Sequence, residues 1–262
     1  AGINGSVRIA AIRVSFLADD SPGTTGNGSF LLNDPIDICG RYTIDPVPHD
    51  RSYFESHLVA VNNYFRSVSY GKFGLDLDQS IVFPLSDENS YVLPEKMDYY
   101  HPYNQTDLHD QRVTELFRDA IETAHNDDEI DFSNYDHVVV FHAGIGQDFS
   151  LPFLDPTPED IPSTFIDGDM LQEYVGGALQ FGTTTIKQGI ILPETQNHLF
   201  YQESENIFFD AEEPCDYQYG LTGTFALMLG FAIGLPPLWD TNSGQSGIGI
   251  FGLMDQGSNN GR

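Results

Sequence analysis

Hydrophobic residues recur along the chain with two different periods, and each period predicts a type of element. The segment SVRIAAIRVSF alternates apolar and polar residues, which predicts a first strand. The segment RSYFESHLVAVNNYFRSVSYGKF has apolar residues at the spacing of one helix face, which predicts a helix that ends near Gly71. The segment LHDQRVTELFRDAIETAHN shows the same spacing and predicts a second helix.

Three further apolar segments predict strands. GLDLDQSIVFPL predicts a second strand region, and TTIKQGIILPE predicts a further strand at an edge of the sheet. The run YDHVVVFHAG is almost continuously apolar, as expected for a central strand that is covered on both faces. Strands and helices that alternate in this way, with no linker or repeat between them, predict a single α/β domain over residues 1–262.

The segment GTFALMLGFAIGLPPLWD, residues 223–240, is the least polar part of the chain. Its glycines and its Pro-Pro pair predict a buried helix that ends near Gly234, and no charged residue or histidine occurs before Asp240. We expect one side of this helix to face the core. The residues assigned to that side are Phe225, Leu229, Ala232 and Ile233.

The charge of the chain is extreme: 39 Asp and Glu residues stand against 11 Lys and Arg residues, for a formal net charge of −28. Such a surface repels nucleic acid and anionic membranes, which excludes both as partners. It suits high salt, calcium or a cationic partner, and it equally fits a solvated acidic shell that keeps the protein in solution. No apolar run reaches the roughly 18 residues that a membrane span needs.

The two cysteines, Cys39 and Cys215, are far apart in the sequence. They either form one disulfide, as in a secreted protein, or remain two buried free thiols. No serine or cysteine nucleophile motif accompanies them, because the chain contains no G-x-S-x-G segment.

Five segments together resemble a known enzyme family. VNNYFRSVSYGKFGLDL, YDHVVVFHAG, IILPE, GTFALMLGFAIGLPPLWDT and GIGIFGLMDQGS occur in the order and spacing of the immune inhibitor A family of secreted zinc metallopeptidases. The resemblance covers residues 7–258 and implies a zincin-like fold, in which an active-site helix lies below a twisted mixed sheet and a methionine turn lies beneath the metal. It implies a secreted or cell-surface protein, and further sequence that completes the domain beyond the methionine turn.

The same resemblance implies that the metal site has been lost. In the family the late helix carries His-Glu-x-x-His, whose histidines lie one turn apart on the zinc, while the glutamate activates the bound water. These three positions are occupied here by Leu227, Met228 and Phe231. Pro237 stands where a third, acidic ligand is expected, and Met254 stands at the methionine-turn position. We therefore expect no zinc and no peptidase activity, because no metal would lower the pKa of a bound water.

The replacements also make the cleft side of the helix apolar. A helix that is apolar on all sides is usually buried on all sides. We therefore expect the former cleft to be collapsed, filled by a loop or covered by a partner.

The remaining polar residues offer two other kinds of candidate metal site. Calcium remains a candidate cofactor, because acidic loops offer the oxygen ligands that it takes and the related peptidases bind it. The candidate calcium ligands are Asp127, Asp128, Asp131, Asp155, Asp160, Asp167, Asp169 and Asp240. A weaker zinc candidate is the run from His101 to Asp110, whereas His137 and His142 are five residues apart on a strand and point to opposite faces.

The sequence therefore favours a catalytically inactive metallopeptidase-like domain that acts outside the cell as a binding or structural module. Its apolar former cleft would hold a protein partner or a second copy of the chain. The alternative is an active secreted metallopeptidase whose metal site has moved elsewhere in the chain.

Overall fold

A computed structural model describes residues 4–33, 39–149, 155–201 and 213–259. The helices within these ranges are α1 Arg51–Val68, α2 Met97–Tyr100, α3 His109–Asp128, α4 Gly168–Tyr174 and α5 Leu221–Ala232. The strands are β1 Gly5–Val7, β2 Ile9–Ser15, β3 Phe73–Leu75, β4 Ile81–Phe83, β5 Tyr91–Val92, β6 His137–Ile145, β7 Thr164–Ile166, β8 Leu179–Phe181, β9 Thr184–Ile186 and β10 Gly189–Thr195. The chain is thus a mixed α/β protein.

The main sheet is mixed. Its strand order is β4-β2-β6-β10-β7, and β5 pairs with β2 beyond the end of β4. All neighbouring strands run parallel except β7, which is antiparallel to β10. Two small sheets lie apart from it: β1 pairs with β3, and β8 forms a hairpin with β9.

The three central strands are buried along almost their whole length, which explains their continuous apolar sequences. Every residue of β2 and β10 is buried, and so is every residue of β6 except His137. Parallel strands covered by helices on both faces have this composition. The prediction of a central strand over YDHVVVFHAG is therefore confirmed.

Two layers of helices cover the sheet. On one face Phe141 of β6 contacts Phe54 of α1 and Phe225 of α5, with ring centroids 4.7 and 5.5 Å apart. The next residue, His142, points to the other face. There it contacts Phe16, which contacts Tyr100 of α2, and α2 packs against α3. Helices α1 and α5 thus share one face, and α2 and α3 cover the other.

The prediction for TTIKQGIILPE was wrong in its position in the sheet. This segment contains two strands, of which β9 belongs to the small hairpin and β10 lies between β6 and β7. The edge of the main sheet on this side is β7, a segment without a strong strand pattern. The apolar run of β10 was assigned to an edge, although its complete burial is the property of an interior strand.

Cys39 and Cys215 form a disulfide, which decides between the two states that the sequence left open. The bond joins the loop before α1 to the short segment before α5. In the part of the chain that the structure describes, no helix combines the length and the apolar composition that crossing a membrane requires.

Candidate functional site

The contacts that cap the two ends of helix α5 cannot be predicted from the sequence of the helix itself. Gly220 precedes it and has no side chain to cap it, so the first backbone N–H, that of Leu221, donates instead to Oδ2 of Asp45 at 2.9 Å. At the other end Gly234 has a φ of +88°. Its N–H donates to Phe231 O and that of Leu235 donates to Gly230 O, which is a Schellman motif.

Helix α5 is buried on one side and half-buried on the other. Its core side is confirmed for Phe225, Leu229 and Ala232, which are at most 8% exposed. Leu227, Met228 and Phe231 are half-buried, as are Ile233 and Pro237.

Among the described residues of this one chain, α5 is therefore not buried on all sides, and cover by a partner stays a prediction. Leu227 and Met228 line an open cavity of about 290 Å³, so the cleft side is neither collapsed nor fully covered. Phe231 lies beside this cavity, between the rings of Phe165 and Trp239, at centroid distances of 6.1 and 5.8 Å. Aromatic packing thus shields Phe231, while its two neighbours face open space.

Met254 is buried beneath α5, where the resemblance places a methionine turn. A Cβ added at Gly230 would come within 2.5 Å of Met254 Sδ, so the helix can approach the sulfur this closely only with glycine at that position. The following residue, Asp255, organises the turn: its Oδ2 accepts hydrogen bonds at 2.7–3.0 Å from Ser246 Oγ and from the N–H groups of residues 247–249. This turn and Trp239 form the wall of the cavity opposite the helix.

The side chains at the three expected ligand positions and at the glutamate position do not fit zinc. Zinc in proteins is bound by thiolate, imidazole and carboxylate groups. Leu227, Phe231 and Pro237 carry no donor atom, and Met228 offers only a thioether. The chemistry of these residues therefore gives a metal nothing to bind at the place where the resemblance puts it, and we derive no catalytic step from it.

A buried polar network lies where the sheet meets the start of α5, and the sequence analysis missed it. At its centre is the fully buried carboxylate of Glu194, the last residue of IILPE. Its two oxygens accept hydrogen bonds at 2.7–3.1 Å from Leu31 N, His49 Nδ1, Gly144 N and Tyr201 Oη. Glu194 lies in a recognised segment, but three of its four partners, Leu31, His49 and Tyr201, lie in loops without a pattern.

His49 and Glu194 form an ion pair inside this network. His49 Nε2 donates to the carbonyl of Asp45 at 2.9 Å, so both ring nitrogens face acceptors. Burial opposes the charge on His49, but Glu194 outweighs it and raises the pKa of the imidazole. Burial likewise opposes the charge on Glu194, and the hydrogen bond and charge of His49 lower the pKa of its carboxyl. The geometry therefore favours the charged form of both groups.

The calcium candidates lie in separate loops and turns. Asp127 and Asp128 end α3, Asp155 and Asp160 share one loop, and Asp240 follows Trp239. Four of these eight carboxylates accept hydrogen bonds from neighbouring residues of their own segments: Asp131 from Ser133, Asp155 from Thr157, Asp167 from Asp169 and Met170, and Asp240 from Asn242 and Ser243.

Asp160 differs from the other candidates because it is buried. Its carboxylate accepts hydrogen bonds from the N–H and the hydroxyl of Thr25 at 2.7 and 3.0 Å. Burial raises the pKa of this carboxyl well above its ordinary value. The structure thus gives Asp160 a role in joining two loops, and the calcium assignments stay predictions.

The histidine-rich run from His101 to Asp110 brings two imidazoles together. The rings of His101 and His109 lie 3.9 Å apart, and His109 Nε2 bonds to the carbonyl of Pro102 at 3.0 Å. Burial lowers the pKa of His101 to about 4. Within the described ranges no group of three His, Cys, Asp or Glu side chains is arranged to hold a metal ion.

Replacing Gly223 tests the packing that closes the site. A Cβ at this position would lie 1.9 Å from the carbonyl oxygen of Ser258, and backbone cannot turn away as a flexible side chain can. We expect Gly223→Ala to lower the free energy of unfolding by about 2 kcal/mol and the melting temperature by about 4–8 °C. Gly230→Ala, which meets only the flexible Met254 side chain, is the comparison and should cost less. A Gly223→Ala protein as stable as the wild type would contradict this packing.

His142 makes a testable contribution to the pH dependence of stability. Burial lowers the pKa of its imidazole to about 4, whereas an unfolded histidine titrates near 6.5. As the pH falls from about 6.5 to 4, the unfolded chain binds this proton and the folded chain does not, so stability is lost across that range.

The measurement is the free energy of urea unfolding as a function of pH. We expect His142→Leu to reduce its slope between pH 6.5 and 4 by up to about 1.4 kcal/mol per pH unit. Above pH 7 the slopes of the two proteins should agree. Equal slopes in the acid range would show that His142 is protonated in the folded protein.

Comparison of the chain with models of known protein families finds no match, and comparison with curated protein sequences finds no match either. The function must therefore be argued from the residues and their geometry.

Proposed function

We propose that this chain is a non-catalytic binding module, built on a zincin-like scaffold, that acts outside the cell or on its surface. The observation that carries the proposal is the cavity beside α5. Its apolar wall consists of Leu227 and Met228, at the positions where the resemblance expects a zinc-binding histidine and the catalytic glutamate, and the cavity remains open. A surface that has lost its metal donors but kept its concave shape is suited to binding.

Exposed apolar side chains next to the cavity support a protein as the partner. Leu238, Ile248 and Ile250 are between 42% and 56% exposed, and Phe251 is 91% exposed. Contiguous exposed apolar groups of this kind are typical of interaction surfaces. The disulfide supports the extracellular location, since such bonds persist in oxidising compartments.

Metal analysis tests the inactive state. We expect elemental mass spectrometry of the protein, purified without chelators, to find much less than one zinc per chain. We also expect no cleavage of an unfolded protein substrate that a chelator inhibits. About one zinc per chain, or chelator-sensitive cleavage, would instead support the alternative of a relocated metal site.

Restoring the ligand positions tests the scaffold. The variant Leu227→His/Met228→Glu/Phe231→His/Pro237→Glu places two imidazoles one helical turn apart, with a carboxylate beyond the helix. If α5 is the counterpart of the family's active-site helix, this variant should bind about one zinc per chain. A folded variant that binds no more zinc than the wild type would contradict the zincin assignment.

A further inference from the structure

The cavity beside α5 is more than an apolar surface. Its lining combines apolar residues with two carboxylates: it consists of Asp148, Thr224, Leu227, Met228, Trp239, Gly244, Asp255, Gln256 and Ser258. No lysine, arginine or histidine is among them. The two acidic residues come from different parts of the chain, Asp148 from the segment after β6 and Asp255 from the turn below the helix.

Both carboxylates are held in place without a cation. The oxygens of Asp148 accept hydrogen bonds from Ser163 N at 3.1 Å and Ser163 Oγ at 2.8 Å, and from Gln196 Nε2. Asp255 is held by the four donors of residues 246–249. Across the described ranges, neither carboxylate takes part in an ion pair.

Burial and hydrogen bonds act differently on the two carboxylates. Burial alone would raise the pKa of Asp255, but hydrogen bonds from the backbone N–H groups of Ile248 and Gly249 outweigh it, so the pKa lies below its ordinary value and the group is charged. Burial raises the pKa of Asp148 above its ordinary value, although hydrogen bonds from Gln196 and Ser163 oppose this shift. A cationic group bound between the two carboxylates would favour the charged form of both.

The remaining walls suit the apolar part of such a ligand. Leu227 and Met228 present hydrocarbon and thioether surface, and the indole of Trp239 can attract a cation through its ring face. The volume of about 290 Å³ lies at the lower limit of the roughly 300–1,000 Å³ of small-molecule sites. It is therefore matched to one long side chain rather than to a large cofactor.

We propose that the cavity binds a lysine or arginine side chain of a basic protein partner, with the aliphatic stem on Leu227 and Met228 and the cationic head between Asp148 and Asp255. This inference rests on the proposed function as a binding module and names the chemistry of its partner. The net charge of −28 agrees with it, because it attracts basic chains and repels a second copy of this one.

Tryptophan fluorescence gives a direct test, because Trp239 is the single tryptophan of the chain and lines the cavity. The probes are the N-acetyl methylamides of arginine, citrulline and norleucine, titrated into the full chain at 10 mM salt. Citrulline keeps the shape of arginine without its charge, and norleucine keeps only the stem. We expect arginine to bind at least tenfold more tightly than either, and to lose that advantage at 500 mM salt.

Two variants locate the binding. Asp148→Asn should weaken arginine binding about tenfold without changing norleucine binding. Asp107→Asn removes the same charge from an exposed site outside the cavity and should leave arginine binding unchanged. Leu227→Lys, which supplies an amine to the cavity from within, should abolish arginine binding while the protein keeps its fold by circular dichroism.

The outcomes separate this inference from the proposed function. If norleucine binds as tightly as arginine, the cavity is an apolar docking site, so the binding module stands and the cationic partner is refuted. If Asp107→Asn weakens arginine binding as much as Asp148→Asn, the effect is one of overall charge, and the inference also fails. If none of the probes changes the fluorescence up to 20 mM, the cavity binds no such side chain, and both proposals lose their site.

Discussion

Glu194→Gln is expected to lower the free energy of unfolding by about 3–5 kcal/mol, the cost of breaking one buried ion pair. The buried carboxylate accepts four hydrogen bonds, one of them from His49. Glutamine can accept at only one of its two terminal atoms, and it leaves the charge on His49 without a counterion. At about 2–4 °C per kcal/mol, the melting temperature should fall by about 10 °C.

The pH dependence of this effect follows from the two shifted groups. The lowered pKa of Glu194 means that its contribution is present above about pH 4.3 and is lost as the pH falls through the folded value. The raised pKa of His49 means that its contribution is present below about pH 6.5 and is lost as the pH rises through the folded value. The difference between wild type and variant should therefore be largest between about pH 4.3 and 6.5.

Glu88→Gln is the matched control, because Glu88 is exposed and the chemical change is the same. It should change the free energy of unfolding by no more than about 0.5 kcal/mol. If Glu194→Gln had an equally small effect, the network around Glu194 would not be a source of stability.

The second large effect is expected from the disulfide. Cys39 and Cys215 are separated by 176 residues, so the bond closes a long loop in the unfolded chain. Loop-closure entropy for this length corresponds to about 5 kcal/mol, and measured losses are usually smaller. We expect Cys39→Ser/Cys215→Ser to lose about 4 kcal/mol, measured by chemical denaturation.

A reducing agent should lower the stability of the wild type by a similar amount and leave the double variant unaffected. The unreduced wild type and the double variant should bind the probes of the cavity equally well if both are folded, since neither cysteine lines that cavity. If the unreduced wild type and the double variant were equally stable, the disulfide would make no contribution to the free energy of unfolding.

The regular elements could be predicted because their signals are local. Helices α1, α3 and α5 follow from apolar spacing, and β6 follows from a continuous apolar run. Interior and edge strands were confused, because strand order depends on pairings between distant residues. Arg13 shows the same limit: it is fully buried in β2, where its guanidinium donates to the carbonyls of Pro84, Ser86 and Asp87. The sequence shows an arginine within a strand pattern, but it does not show which carbonyl groups this arginine contacts.

The candidate site likewise has features that the sequence predicts and features that it does not. The apolar character of Leu227, Met228 and Phe231 is visible in the sequence, and the assignment of Met254 to a methionine turn stays a prediction. The combination of Asp148, Trp239 and Asp255 could not be predicted, because three separate segments supply these residues. The openness of the cavity was also missed, since the hydrophobicity of α5 alone indicated complete burial.

The segment from Cys39 to Asp45 is attached to the segment from Cys215 to Leu221 by a covalent bond and by hydrogen bonds. The covalent bond is the disulfide, and the hydrogen bonds include those of Gln218 with Ile44 N and Tyr42 O and the one with which Asp45 caps α5. During synthesis, Asp45 is translated long before α5, the helix that it caps. Until residues 215–221 have been synthesised, Cys39 and Asp45 remain without their partners. The same holds for the face of α1 that packs on α5. The capped start of α5 and the disulfide therefore form only after residues 215–221 have been synthesised, whereas the segment that supplies their partners is made 176 residues earlier.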